Sequence, residues 1–138
     1  NYSIFFSTSF GSIYPIIKKL EQNKFISGDH KISPGGQRKS WFSITDSGKE
    51  RFKELMLSSL PDNRTSAEQI ISIKLMALDK MSEEDKNQIV KDIIKFYEII
   101  IHKHERKSET ASFSPFKANI VNSEIHFIKQ KLSWLRSL

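Results

Sequence analysis

Apolar residues return along most of the chain at the spacing of one helical face, and the interruptions mark its joints. In "FGSIYPIIKKLEQNKF", Ile13, Ile16, Ile17 and Leu20 recur at i, i+3, i+4 and i+7, which predicts a helix from about Ser12 to Asn23 with those four residues buried. Pro15 constrains where that helix begins. Proline lacks an N–H and is tolerated in the first turn, where the donors have no intrahelical partner. With Gly11 or Ser12 as N-cap, Pro15 takes the fourth or third helical position, whereas an earlier start would cost about 3 kcal/mol or a kink.

The pattern then changes to partial alternation. "FISGDHKI" and "WFSIT" flank "SPGGQRKS", which reads as a hairpin with a flexible basic tip. Thr45 is placed to cap a helix over "DSGKERFKELMLSSL", with Phe52, Leu55 and Met56 as its buried stripe. Beyond the linker "PDNR" the chain turns wholly helical. Thr65 with Glu68, and Ser82 with Asp85, have the spacing of capping boxes and open helices of roughly 65–79 and 82–107. "SETASF" breaks the pattern, and Ser114-Pro115 restarts it as N-cap and first helical residue.

Two of these helices carry more apolar surface than one neighbour covers. The 82–107 helix has Ile89, Ile93, Tyr97, Ile100 and His104 on one side, with Val90, Ile94 and Ile101 beside them. The last helix carries Val121, Ile125, Ile128, Leu132 and Leu135, spaced 4, 3, 4 and 3, and a second row of Ile120, Phe127 and Trp134. The heptad row favours a coiled-coil-like contact, so Ile93, Tyr97, Ile100, Val121, Ile125, Ile128, Leu132 and Leu135 are the candidate dimerisation residues. The fold class expected is mainly α with a small β-hairpin wing: a winged helix-turn-helix plus a helical dimerisation arm. The expected division is a winged-helix domain over residues 1–60 and a dimerisation domain over residues 61–138.

Composition narrows the chemistry. The 138 residues are 38% hydrophobic and 28% charged, an ordinary globular balance, with no cysteine for disulfides or thiolate metal sites. The longest apolar run, "IIKFYEIIIH", contains Lys95 and Glu98 and is too short to span a bilayer, so no membrane partner is expected. Net charge is +6, and it is concentrated. Between Ser12 and Ser40 six cations (Lys18, Lys19, Lys24, Lys31, Arg38 and Lys39) face two anions (Glu21 and Asp29), which places four of the six net charges there. The excess coincides with the helix and hairpin that a winged helix presents to DNA: the helix enters the major groove and the wing lies along the flanking backbone. Ser12, Tyr14, Pro15, Lys18 and Lys19 on the helix, with Gln37, Arg38 and Lys39 on the wing, are the candidate DNA-binding residues. Tyr14 can hydrogen-bond a phosphate, and the cations can neutralise phosphates or reach guanine edges.

No nucleophile elbow and no phosphate loop is present, so no enzyme is expected. Glu98 and His102 are four apart but lack a third metal ligand, His102 and His104 point to different sides of the helix, and His30 and His126 have no evident partner. No cofactor is expected.

A resemblance sharpens this. "GSIYPIIKKLEQNKFI" followed by "PGGQRKSWFSITDSGKERFKEL" resembles the core of the PadR-like transcriptional regulators, whose recognition helix reads G-[ST]-I-Y-P-x-[LI]-x-[KR]-L-E. A glycine-rich basic wing, an aromatic strand and T-x-x-G follow. Gly11, Ser12, Ile13, Tyr14, Pro15, Leu20, Glu21, Gly35, Gly36, Lys39, Phe42, Ile44, Thr45 and Gly48 match, while Trp41 stands where tyrosine is more usual. The resemblance implies a dimeric cytoplasmic regulator, usually a repressor, bound to a double-stranded operator and in many members responsive to a small aromatic or cationic effector. Trp41, Phe42, Phe113 and Trp134 are candidates to line such a pocket. The family places two further helices before this segment, and the natural product is expected to carry them. The alternative is a winged-helix protein–protein interaction module without specific DNA binding.

Overall fold

The computed structural model describes residues 10–32, 38–110 and 113–138, which belong to two compact units, Asn1–Ser58 and Ser59–Leu138.

In the first unit, helix α1 spans Phe10–Gln22 and is already helical at Phe10, so Pro15 is its sixth described residue. The proline therefore sits further inside the helix than its missing donor favours, and it leaves the Gly11 carbonyl without the usual i+4 N–H. The helix stops where expected. Asn23 N–H donates to the Lys19 carbonyl, Lys24 N–H to Glu21 and Phe25 N–H to Leu20. This is a Schellman closure, and it holds Lys24 at φ 58°, a left-handed position that glycine usually fills.

Strands β1 (Ile26–Ile32) and β2 (Arg38–Ile44) pair antiparallel, from Ile26 opposite Ile44 to Ile32 opposite Arg38. The Pro34-Gly35-Gly36 tip and Gln37 lie outside the described residues. Helix α2 runs Asp46–Leu57, and Thr45 caps it by accepting the Gly48 N–H at 3.0 Å. The same hydroxyl donates to the Lys24 carbonyl at 2.6 Å, with the Phe25 carbonyl at 3.1 Å, and Thr45 N–H donates to Phe25 at 3.0 Å. One residue thus fastens the start of α2 and the end of β2 to the turn after α1. Gly48 is required at this junction: a Cβ there would lie 2.0 Å from the Phe25 carbonyl oxygen.

Two expected apolar faces of this unit are only partly covered. Ile13 and Ile17 are half-buried, but Ile16 is 58% exposed and Leu20 lies at the margin. On α2, Met56 is buried and Phe52 half-buried, while Leu55 projects into solvent. Periodicity places these residues on one side of a helix; it does not supply the element that covers them.

The second unit comprises α3 (Arg64–Met76), a 3₁₀ turn (Leu78–Lys80), α4 (Glu83–Thr110) and α5 (Pro115–Leu135). Asn63, rather than Thr65, caps α3 by accepting the Ser66 N–H at 3.0 Å. Ser82 accepts the Asp85 N–H at 3.2 Å and donates to the Asp85 carboxylate at 2.7 Å. Helix α4 persists to Thr110, further than its apolar pattern indicates, and Ser114 caps α5 with Pro115 at its first position.

The core here is built from Ala67 and Ile71 of α3, Ile89, Ile93, Tyr97, Ile100 and Ile101 of α4, and Ile128, Leu132 and Leu135 of α5. Each such large side chain contributes about 1.5–3 kcal/mol on burial. A polar knot closes the interior. Tyr97 OH donates to Glu68 at 2.7 Å and accepts from Lys131 at 2.9 Å, and Lys131 also reaches Glu68 at 3.2 Å. Burial, followed by the hydrogen bond to Glu68, holds the Tyr97 phenol far above its ordinary pKa, so it remains a donor.

The expected dimerisation residues take part in this packing. Ile93, Tyr97, Ile100, Ile128, Leu132 and Leu135 are buried within a single chain, and Val121 and Ile125 are half-buried. The heptad row of α5 faces α4. The row left outside is Ile120, Phe127 and Trp134, continued by Phe116, with Phe127 68% exposed.

Candidate nucleic-acid interface

Helix α1 has a clear inner and outer side. Ile13, Ile17 and Glu21 form the half-buried row; at 3.6 residues per turn Gly11, Pro15, Lys19 and Gln22 lie on the opposite side, with Tyr14 and Lys18 on the flank between. All six are exposed, Tyr14 at 73%. Gln22 belongs to the same outer row as Tyr14 and Lys18, four residues on, and carries neither the charge nor the motif match that singles out its neighbours in the sequence. Ser12 lies in α1.

Charge on this unit divides in two. Two cations of α2 are locally compensated, Lys49 by Asp46 at 2.8 Å and Arg51 by Glu54 at 2.9 Å. Lys49 holds the Asp46 carboxyl below the usual range by hydrogen bond and charge. Among the described residues, neither Lys18 nor Lys19 is in an ion pair. Two uncompensated ammonium groups therefore stand on one exposed helix face beside a phenol, an arrangement suited to a polyanion.

The hairpin register brings Lys31 opposite Lys39 and Ile32 opposite Arg38, so the basic positions gather at the loop end. Gln37 lies outside the described residues. The expected pocket-lining aromatics are divided between the units: Trp41 and Phe42 are exposed in the first, and in the second Phe113 is half-buried and Trp134 exposed. Among the described residues no three His, Cys, Asp or Glu side chains are grouped to hold a metal ion, and no helix is long and apolar enough to cross a membrane.

The T-x-x-G motif has a structural role. Thr45 and Gly48 make the hydrogen bonds and close approach that fix the hairpin base against α2, which in turn fixes where the hairpin springs from relative to α1.

No curated protein sequence matches the chain. Among solved structures it is similar to smu.1604c of Streptococcus mutans, with 21% identity over 99% of this chain and 82% of that one, and a TM-score of 0.43. It is similar to Bacillus subtilis PadR in complex with operator DNA, with 23% identity, coverage of 99% and 80%, and a TM-score of 0.42. A PadR-like transcriptional regulator from Bacillus cereus gives 21% identity, coverage of 97% and 80%, and a TM-score of 0.34. Residues 1–54 match the transcriptional regulator PadR-like family. Those residues contain α1, the hairpin and most of α2, so the likeness to the family lies in the first unit.

Proposed function

We propose that this chain binds double-stranded DNA in a sequence-specific manner and regulates transcription as a homodimeric repressor. The observation that carries this reading is the exposed outer face of α1, where Tyr14, Pro15, Lys18 and Lys19 stand together without compensating acids in the segment that matches the family. The helix reads the major groove, with Lys18 and Lys19 on phosphates or guanine edges, and Arg38 and Lys39 of the hairpin extend the contact along the backbone. A second copy docks through the outer row of α5, Phe116, Ile120, Phe127 and Trp134, whose exposure leaves an apolar strip of the kind that interfaces cover. Two-fold symmetry then presents two α1 helices to half-sites about one DNA turn apart. Repression follows from occluding polymerase. A small aromatic effector acts by changing the spacing of the two wings, and the protein works in the cytoplasm.

The test is a fluorescence anisotropy titration of the full chain against DNA from upstream of its own gene and a scrambled duplex, at two salt concentrations. A preference of about 10³-fold or more for the upstream DNA is expected. Lys18→Ala with Lys19→Ala should weaken binding and reduce the slope of log affinity against log salt by about two. Equal, weak binding to both duplexes that vanishes as salt rises would leave only a basic surface.

A further inference from the structure

One polar side chain of α1 has no task in the fold. Gln22 is the last residue of the helix and is exposed. Backbone bonds close the helix end, from Asn23 N–H to the Lys19 carbonyl and from Phe25 N–H to Leu20, so the Gln22 amide is not needed as a cap. Among the described residues that amide makes no hydrogen bond, whereas Gln88 of α4 is tied to Asp92 at 3.0 Å.

Its place around the helix is specific. At 3.6 residues per turn Gln22 lies about 40° from Lys18 and about 60° from Lys19, on the arc between them. Two ammonium groups therefore flank it, and among the described residues neither is in an ion pair. The rest of that arc can report little about a base, because Gly11 has no side chain and Pro15 no side-chain hydrogen-bonding group. Along the axis Gln22 stands about 12 Å beyond Tyr14, roughly three to four base steps of DNA. The turn that follows also holds it. Thr45 O–H donates to the Lys24 carbonyl at 2.6 Å and Thr45 N–H to the Phe25 carbonyl at 3.0 Å, so the backbone just after Gln22 is tied to the base of the hairpin. A base-reading side chain needs a backbone fixed in this way.

We propose that Gln22 is a specificity-determining residue of this face, its amide reading an adenine in the major groove. Nε2–H donates to N7, and Oε1 accepts from the N6 amino group. The inference rests on α1 being the groove-facing helix and goes beyond that reading by assigning a base. An ammonium group is a point charge with rotatable donors, so Lys18 and Lys19 strengthen binding to phosphates more than they discriminate between sequences. A carboxamide presents one donor and one acceptor in a plane. That pair matches adenine and mismatches guanine, which shows two acceptors on the same edge.

Selection of the full chain against a randomised duplex library, run in parallel for wild type, Gln22→Ala and Gln22→Arg, tests the assignment. The wild-type site should contain an A·T pair in each half whose replacement weakens binding by about tenfold or more. Gln22→Ala should lose the preference at that pair alone, with the other positions, the affinity for a scrambled duplex and the salt slope unchanged. Gln22→Arg should turn the same position to G·C. Both variants should keep the helical circular dichroism, since the side chain holds nothing in the fold. A Gln22→Ala site identical to the wild-type site, or a loss of affinity shared equally by every duplex, would overturn the assignment and leave the regulatory reading intact. A wild-type chain that selects no sequence would overturn both.

Discussion

Lys74 shows how a single residue can work against its surroundings. It lies on α3 with only 5% of its surface exposed, and burial lowers its pKa below 10.5, with the Asp92 carboxylate opposing the shift. The sign of the linkage follows. The unfolded chain holds the Lys74 proton up to its ordinary pKa, while the folded chain releases it earlier. Stability therefore rises with pH in the window just below 10.5, and below the folded pKa the group contributes a constant penalty. Lys74→Met should remove that penalty, because Asp92 stays solvent-exposed and keeps its hydrogen bond from Gln88 at 3.0 Å. The gain from removing it is expected at pH 7 and should shrink as pH approaches 10. Chemical denaturation of both proteins at pH 7 and pH 10 measures it, and an equal difference at the two values would exclude the titration as its cause.

At the scale of elements, the joints matter more than the helices they connect. Gly48→Ala places a methyl group 2.0 Å from the Phe25 carbonyl, so the α1–β1 turn or the start of α2 must move. Loss of about 3 kcal/mol or more is expected, read as a lowered thermal midpoint or a first unit that no longer folds. The joints were legible where a side chain serves the backbone a few residues away: Thr45, Ser82 and Ser114 each cap the helix their spacing implied. Asn63 was passed over for Thr65 because a linker asparagine and a helix-opening threonine carry the same local signal. The start of α1 was misplaced for a different reason. The cost of an interior proline is a local term, and the helix accepts it. The two apolar rows of α5 were both visible, but periodicity is symmetric about the helix axis and does not say which row packs. Only the fold sets Leu132 inward and Phe127 outward. The outer face of α1 was the most legible feature, since it needs only one helix and its charges.

For the whole molecule, the surplus charge and the uncovered apolar row serve different encounters. The cations of α1 act at a distance and fade with salt, whereas the α5 row acts only on contact and strengthens with it. Phe127→Glu with Trp134→Glu should therefore convert a dimer to a monomer in light scattering, with the α-helical signal retained. A wild-type chain that is monomeric at micromolar concentration would remove α5 from the interface. If, as proposed, each DNA half-site takes one α1 of a dimer, the monomeric variant should also lose the tighter binding that two linked helices provide. That double substitution leaves Lys18 and Lys19 in place, so weak salt-sensitive binding to any duplex should persist.

The Thr45 junction has a consequence in time as well as in space. Its hydrogen bonds tie the β2–α2 corner to the turn after α1, far away in sequence, so neither opens without the other. In a hydrogen–deuterium exchange experiment the amides of Phe25, Thr45 and Gly48 should be the slowest in the first unit and should exchange together. A hairpin held this way stays anchored at its root, and any force on it passes to the α1–β1 turn and the start of α2.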